Sequence, residues 1–432
     1  MGAGVTIEIE KMVYGGRGMG RLGGKVMFVP FTAPGDWAEV RVAREKKDYT
    51  EGHLKILVQD SPLRVPPFCQ VYGDCGGCHY QHIRYSEQLR LKGEILQESF
   101  ARLARKDKFV ILPIIPSSKD KGYRIRVRFK GGMKYGQKVL GFYGLKSHRV
   151  VEVKNCPLLH PLANEILQGL QNWQENRKGW GMILEAEIQV SPEESQGVIG
   201  LRVTGEYSIK FAEELSRKIP GLKGVVLDGR RKIRFGDLTL AYRWPPISDQ
   251  LGLMIRADYD SFSQVNLYQN WNLMRQVVEW AALSGKEKVL DLFCGSGNLT
   301  LPLAQRANEV WGVDQDRKAV ENAAENARMN GLGNCRFIAA RADIGIRQVF
   351  QRTGGVDAVV LDPPRSGARD ILEDLARLGP RRIIYVSCEP PTLTRDLAHL
   401  QTLGYHVRRI QPIDMFPHTY HIEVMAELTP GE

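Results

Sequence analysis

The sequence predicts a multidomain chain: a small OB-like β-barrel, then a β-rich α+β domain, then a Rossmann-like α/β domain. Three observations predict it. At 432 residues the chain exceeds one ordinary domain of roughly 150 residues. Short alternating runs with Gly-rich turns fill its beginning. From about Tyr259 onward, short runs rich in Val, Ile and Leu alternate with helix-length segments, the pattern of a parallel sheet wrapped by helices. The expected domains are 1–60, 61–255 and 256–432.

In the first domain, Thr6 to Met12, Lys25 to Phe31 and Asp36 to Arg44 read as strands, and YGGRGMGRLGG reads as the turn region between the first two. Pro62, Pro66 and Pro67 mark a boundary. The cysteine-rich stretch FCQVYGDCGGCHYQH follows. Tyr85 to Arg105 then has the spacing of a helix, with Leu89, Leu96, Phe100 and Leu103 on its apolar face. That helix can pack on the last domain although it precedes the central sheet. From about Gly122 to Trp244 the pattern returns to strands. In YRIRVRFK the side chains of Arg124, Arg126, Arg128 and Lys130 share one face, which is either a solvated sheet surface or a phosphate track. KVLDLFC, EVWGVD, DAVVLDPP and RRIIYVSC are the strands of the parallel sheet. YHVRRIQPIDMF and HIEVMAEL read as a closing antiparallel pair.

Lys and Arg outnumber Asp and Glu by 60 to 49, giving a net charge of +11. That suits a polyanionic partner without requiring one. Apolar residues at 43% are enough to build cores, which excludes a disordered chain. MGAGVTIEIE has no basic segment followed by an apolar one, and no run of about 18 apolar residues exists. A cytoplasmic monomer with no membrane association is expected. Its seven cysteines are then ligands or catalysts rather than disulfides.

Val289 to Leu299, VLDLFCGSGNL, places glycines directly after a strand and before a helix. Glycine there lets the backbone turn tightly against a ligand. Asp314 ends the next strand, about 20 positions on, where a carboxylate can accept both ribose hydroxyls. A dinucleotide fingerprint wants a third glycine where this chain has Thr300, which counts against NAD. Asp362-Pro363-Pro364-Arg365 and Ser387-Cys388-Glu389-Pro390 end two further strands, where open parallel sheets bind ligands.

Cys388 and Glu423 suggest the chemistry. Carbon 5 of uracil is too weak a nucleophile to take a methyl group unaided. Thiolate addition to carbon 6 makes the ring an enolate, and a base must later remove the carbon 5 proton so that the thiolate can leave. Cys388 stands at a strand end in the expected cleft. Glu423, on the last hairpin, is the candidate base. The target base must leave its stack to reach them, and Phe262 can stack on it or pack in the core.

At these residues the sequence resembles the RNA uracil-5-methyltransferase family, above all its 23S ribosomal RNA branch. FSQVN (Phe262 to Asn266), DLFCGSGNLT (Asp291 to Thr300), DPPRSG (Asp362 to Gly367), SCEPPTLTRD (Ser387 to Asp396) and DMFPHTYHIE (Asp414 to Glu423) carry the resemblance. It implies a class I methyltransferase domain. It also implies Cys388 as nucleophile, Glu423 as base, and Gln264, Phe293, Asn298, Asp314 and Asp362 around S-adenosylmethionine. Arg341 and Asp343 depart from the pattern and are left unassigned. The first 60 residues would be a TRAM domain, an RNA-binding barrel.

Cys69, Cys75 and Cys78, with Cys156 further on, offer four thiolates for an iron–sulfur cluster or zinc. The resemblance implies a [4Fe-4S] cluster, and a structural or RNA-positioning role is expected for it. The expected substrate is RNA, with 23S ribosomal RNA ahead of transfer RNA. The rival readings are a non-catalytic RNA-binding factor, a nicotinamide oxidoreductase and a cytosine-5 methyltransferase. The first conflicts with Cys388, Glu423 and the nucleotide turn occurring together. The second conflicts with Thr300. The order DPPR, SCEP and a carboxylate on the final hairpin fits uracil better than cytosine.

Overall fold

A computed structural model of the chain describes residues 4–105, 108–176, 181–261 and 263–431. Five strands close a barrel at the N-terminus: β1 (Val5–Val13), β2 (Arg17–Leu22), β3 (Lys25–Pro30), β4 (Trp37–Glu45) and β5 (Tyr49–Gln59), in the order β1-β2-β3-β5-β4. Ile7, Ile9, Met27, Val29, Ala38 and Val40 fill it. β2 lies within the Gly-rich stretch that the sequence marks as a turn. Gly15 and Gly16 turn before it, at φ 96° and 79°, and Gly23 and Gly24 turn after it, at φ 55° and 85°. Gly18 and Gly20 are strand residues, and a Cβ on Gly20 would overlap the Glu8 carbonyl oxygen of β1. Close strand approach, not turning, explains those two glycines.

Helix α1 (Tyr85–Phe100) ends five residues before Arg105, and a short 3-10 turn at Leu103–Arg105 follows. One side of α1 packs Leu91 and Ile95 with Met12, Tyr80 and Ile83 beneath the barrel. The other packs Leu96 and Phe100 into the core of the C-terminal sheet. Next, β6 (Val110–Ile111) also joins that sheet, pairing with Arg409 and Ile410.

The central sheet contains β7 (Arg126–Lys134), β8 (Gln137–Tyr143), β9 (Val150–Glu152), β10 (Ile183–Ser191), β11 (Gln196–Val203), β12 (Leu222–Asp228) and β13 (Ile233–Gly236). Helices α2 (Pro161–Glu175) and α3 (Ile209–Lys218) pack on it. Its basic face is not an open phosphate track. Arg126 and Arg128 bond Glu187 of β10 at 2.6 and 2.7 Å, and Lys130 bonds Glu185. Glu187 and Glu185 thus pair with three of the four basic residues.

The hairpin β14 (Thr239–Trp244) and β15 (Leu253–Asp258) straddles the expected boundary at 255: Leu240, Tyr242 and Ala257 pack with the central domain, and Trp244, Leu253 and Ile255 with the C-terminal one. The remaining elements are α4 (Leu267–Ala281), β16 (Lys288–Leu292), α5 (Thr300–Ala304), β17 (Glu309–Asp314), α6 (Arg317–Met329), β18 (Cys335–Ala339), α7 (Ala342–Thr353), β19 (Ala358–Leu361), α8 (Leu372–Arg377), β20 (Arg382–Ser387), α9 (Pro390–Thr402), β21 (Tyr405–Ile413) and β22 (Glu423–Pro430). The sheet order is β18-β17-β16-β19-β20-β22-β21-β6, parallel except for β22. The strand order reverses between β16 and β19, so a crevice opens at their carboxyl ends. No helix among the described residues is long and apolar enough to cross a membrane.

Candidate active site

The turn after β16 is built for close approach. Phe293, Gly295 and Gly297 have φ of 64°, 53° and 93°, and a phenylalanine held there is strained. Asp314, at the end of β17, accepts from the Gly295 N–H at 3.0 Å. Thr300, where a third glycine would stand, donates its hydroxyl to Asp291 at 2.5 Å. That bond only partly offsets burial and the nearby Asp362 and Asp314 charges, which push the Asp291 carboxyl up to about 7.

A narrow cleft opens beside this turn, lined by Gln264, Phe293, Ser296, Asn298 and Asp362. Asn298 and Asn270 exchange amide hydrogen bonds at 2.8 and 2.9 Å, which fixes both side chains. The Ser296 hydroxyl is buried with no partner among the described residues, a polar group that a bound nucleoside would satisfy. Arg341 and Asp343 pair with each other at 3.1 Å, and neither lines the cleft. Phe262 lies outside the described residues.

Cys388 follows β20 directly and is partly exposed. Burial, then the charges of Glu423 and Asp362, push its thiol up to about 11, while the Arg365 guanidinium beside it opposes the shift. Glu423 opens β22 and is 4% exposed. Burial, reinforced by Asp362, raises its carboxyl well above the ordinary range. Burial likewise lifts Asp362 to about 7. The Arg365 guanidinium therefore acts on both Cys388 and Glu423, and burial nonetheless favours their protonated forms in the free protein. Such a site joins a thiol and two buried carboxyls.

Two family models match the chain: tRNA (Uracil-5-)-methyltransferase over residues 246–429 and the TRAM domain over residues 2–55. A protein of Thermosynechococcus vestitus described as an uncharacterized RNA methyltransferase is 34% identical over 99% of this chain and 98% of its own. The chain belongs to the RNA uracil-5-methyltransferase family. It is an S-adenosylmethionine-dependent enzyme acting on RNA, with a TRAM barrel at its N-terminus. A similarly described methyltransferase of Caldanaerobacter subterraneus is 33% identical over 97% of this chain and 96% of its own. The solved tRNA (uracil-54, C5)-methyltransferase of Pyrococcus abyssi, in complex with S-adenosyl-L-homocysteine, superposes with a TM-score of 0.77. It is 26% identical and covers 98% of this chain and all of its own, 100%.

Away from the methyltransferase cleft, Cys69, Cys75, Cys78 and Cys156 are all free thiols. They share one neighbourhood. Burial pushes Cys75 up to about 11 and Cys78 up to about 12, and each is raised further by the other cysteines. Among the described residues, no three His, Cys, Asp or Glu side chains form a ready single-ion site. The donor set is entirely sulfur, the soft chemistry that iron–sulfur clusters and zinc both accept.

Two residues of the site escaped the sequence. Arg365 was visible in DPPR but had no assigned partner until Cys388 and Glu423 came beside it. Tyr14 comes from the barrel's first turn. Burial and the adjacent Glu389 carboxyl raise its phenol, and Cys388 lies nearby. No sequence signal connects positions so far apart.

Proposed function

We propose that the enzyme methylates carbon 5 of a uridine through a covalent adduct of Cys388 with carbon 6. The observation that carries this reading is the convergence of Cys388, Glu423, Asp362 and Arg365 beside the nucleoside cleft. Cys388 would give up its proton to solvent, with Arg365 favouring the resulting thiolate, which adds to carbon 6 as the ring's 5,6 electron pair moves into an enolate. Gln264, Phe293, Asn298, Asp314 and Asp362 would hold S-adenosylmethionine, which supplies an electrophilic methyl group for carbon 5. Glu423, once it has lost its own proton to solvent and is ionised, would then take the carbon 5 proton. Its electron pair restores the 5,6 double bond as the carbon–sulfur bond breaks and the thiolate leaves. Cys388→Ala removes the nucleophile. Turnover should fall by at least about 10³-fold, with S-adenosylhomocysteine binding unchanged. Mass spectrometry of the RNA product should find 5-methyluridine with the native enzyme only. A fully active alanine variant would end the covalent reading.

A [4Fe-4S] cluster on Cys69, Cys75, Cys78 and Cys156 is part of this proposal, supported by the all-sulfur donor set and the family resemblance. Iron and acid-labile sulfide analysis tests it, and zinc in their place would replace it. The barrel and the cysteine quartet favour ribosomal RNA as substrate. The similarity to the Pyrococcus abyssi enzyme favours a second reading, transfer RNA. Methylation mapping of total RNA from a strain lacking the gene separates the two.

A further inference from the structure

We infer that the cysteine-rich segment and α1 jointly position Glu423, acting through Gln88 and His418. The inference rests on the reading of Glu423 as the base. Residues 414–422 link β21 to β22, and Glu423 is the first residue of β22. This link is held from outside the C-terminal domain at each stage. At its start, Lys92 of α1 meets Asp414 at 2.6 Å, both side chains 0% exposed. The Tyr85 hydroxyl donates to the other Asp414 oxygen at 2.8 Å. In its middle, the Tyr123 hydroxyl donates to the Pro417 carbonyl at 3.2 Å.

The tightest hold is at His418. Its φ is 65°, the left-handed region that a residue with a Cβ rarely occupies. Its carbonyl accepts from the N–H groups of both His79 and Tyr80, at 2.9 and 3.0 Å. Those are the two residues directly after Cys78. Its own N–H donates to Gln88 Oε1 at 3.0 Å. Gln88 Nε2 lies 3.0 Å from His418 Nδ1 and donates to the carbonyls of Tyr80 and Ile83 at 3.0 and 2.7 Å. One fully buried amide thus ties helix, cysteine-rich segment and turn together. A strained backbone persists only where its surroundings over-determine it, and here they do. Tyr420 continues the contact, its ring 4.7 Å from that of His79 and 5.5 Å from that of Tyr14.

Cys388 and the nucleoside cleft stand on other elements. Loosening this hold should therefore spare thiolate addition and methylation but displace the base that follows them. The methylated adduct, still bonded through sulfur, should then accumulate. Wild type, Gln88→Met and Glu423→Gln are compared on total RNA from the strain lacking the gene, with tritiated methyl donor. After RNase digestion, label retained on the protein band of a denaturing gel reports the adduct. Gln88→Met keeps the side-chain bulk and removes both halves of the amide.

The expected result is kcat about 10-fold lower, KM for RNA within about twofold of wild type, and a labelled band, in a protein that melts and binds S-adenosylhomocysteine normally. His418→Val, which disfavours the left-handed turn, should give the same band if Gln88→Met folds poorly. A label-free Gln88→Met or His418→Val, while Glu423→Gln is labelled, overturns the inference and leaves the base reading standing. Activity lost only in proportion to unfolded protein, without label, does the same. A label-free Glu423→Gln overturns both.

Discussion

The nucleotide half of the cleft and the half around Glu423, the proposed base, differ in how far along the chain their parts lie. In the first, Thr300 reaches Asp291 across 9 positions and Gly295 reaches Asp314 across 19. In the second, Lys92 reaches Asp414 across 322 positions and Gln88 reaches His418 across 330. A site made of neighbours in sequence is written as a motif. A site made of distant segments exists only when the whole molecule has closed, so its failure modes are tied to folding rather than to ligand contacts.

The sharpest way to break this contrast is Lys92→Ala. It leaves the Asp414 carboxylate buried and unpaired, and should destabilise the enzyme by about 3–5 kcal/mol in chemical denaturation. S-adenosylhomocysteine affinity of the folded fraction should stay near the native value. A large loss of that affinity would show the two halves to be one unit.

A second test concerns the carboxyls of the nucleotide half. Asp291 has its folded carboxyl raised from the ordinary range near 4 to about 7. The folded state then binds the proton more tightly than the unfolded chain. The associated stability is present in acid and is lost as pH rises from about 4 to about 7. The ligand-free enzyme should melt at a higher temperature at pH 5.5 than at pH 8, and Asp291→Asn should reduce that difference, Asp362 and Glu423 supplying the rest. An unchanged slope in the variant would remove Asp291 from the account.

The smallest effect expected is that of Asp314→Ala. Losing a carboxylate that can bond ribose hydroxyls should weaken S-adenosylhomocysteine by about 1.5–3 kcal/mol, roughly 10- to 150-fold by calorimetry. It should leave no methylated adduct behind, in contrast to Glu423→Gln.

These differences also explain what was legible beforehand. The glycine turn, the Asp-ended second strand and the antiparallel closing pair are local patterns, and the structure carries each of them. β2 was hidden because glycine normally signals a turn, whereas Gly18 and Gly20 serve close strand packing. The basic row on β7 was ambiguous because Glu185 and Glu187, which pair with it, lie more than 50 positions on. Arg365 and Tyr14 stood in view without partners.

The sequence by itself determined the three kinds of architecture, the nucleotide turn and the candidate thiol, because each depends on the order of nearby residues. Only the tertiary structure decided that α1 holds the segment leading to Glu423, that Tyr14 of the barrel's first turn lies near Cys388, and that His418 is held by residues following Cys78. Burial and long-range hydrogen bonds make those assignments, and neither has a period or a spacing that a linear chain displays.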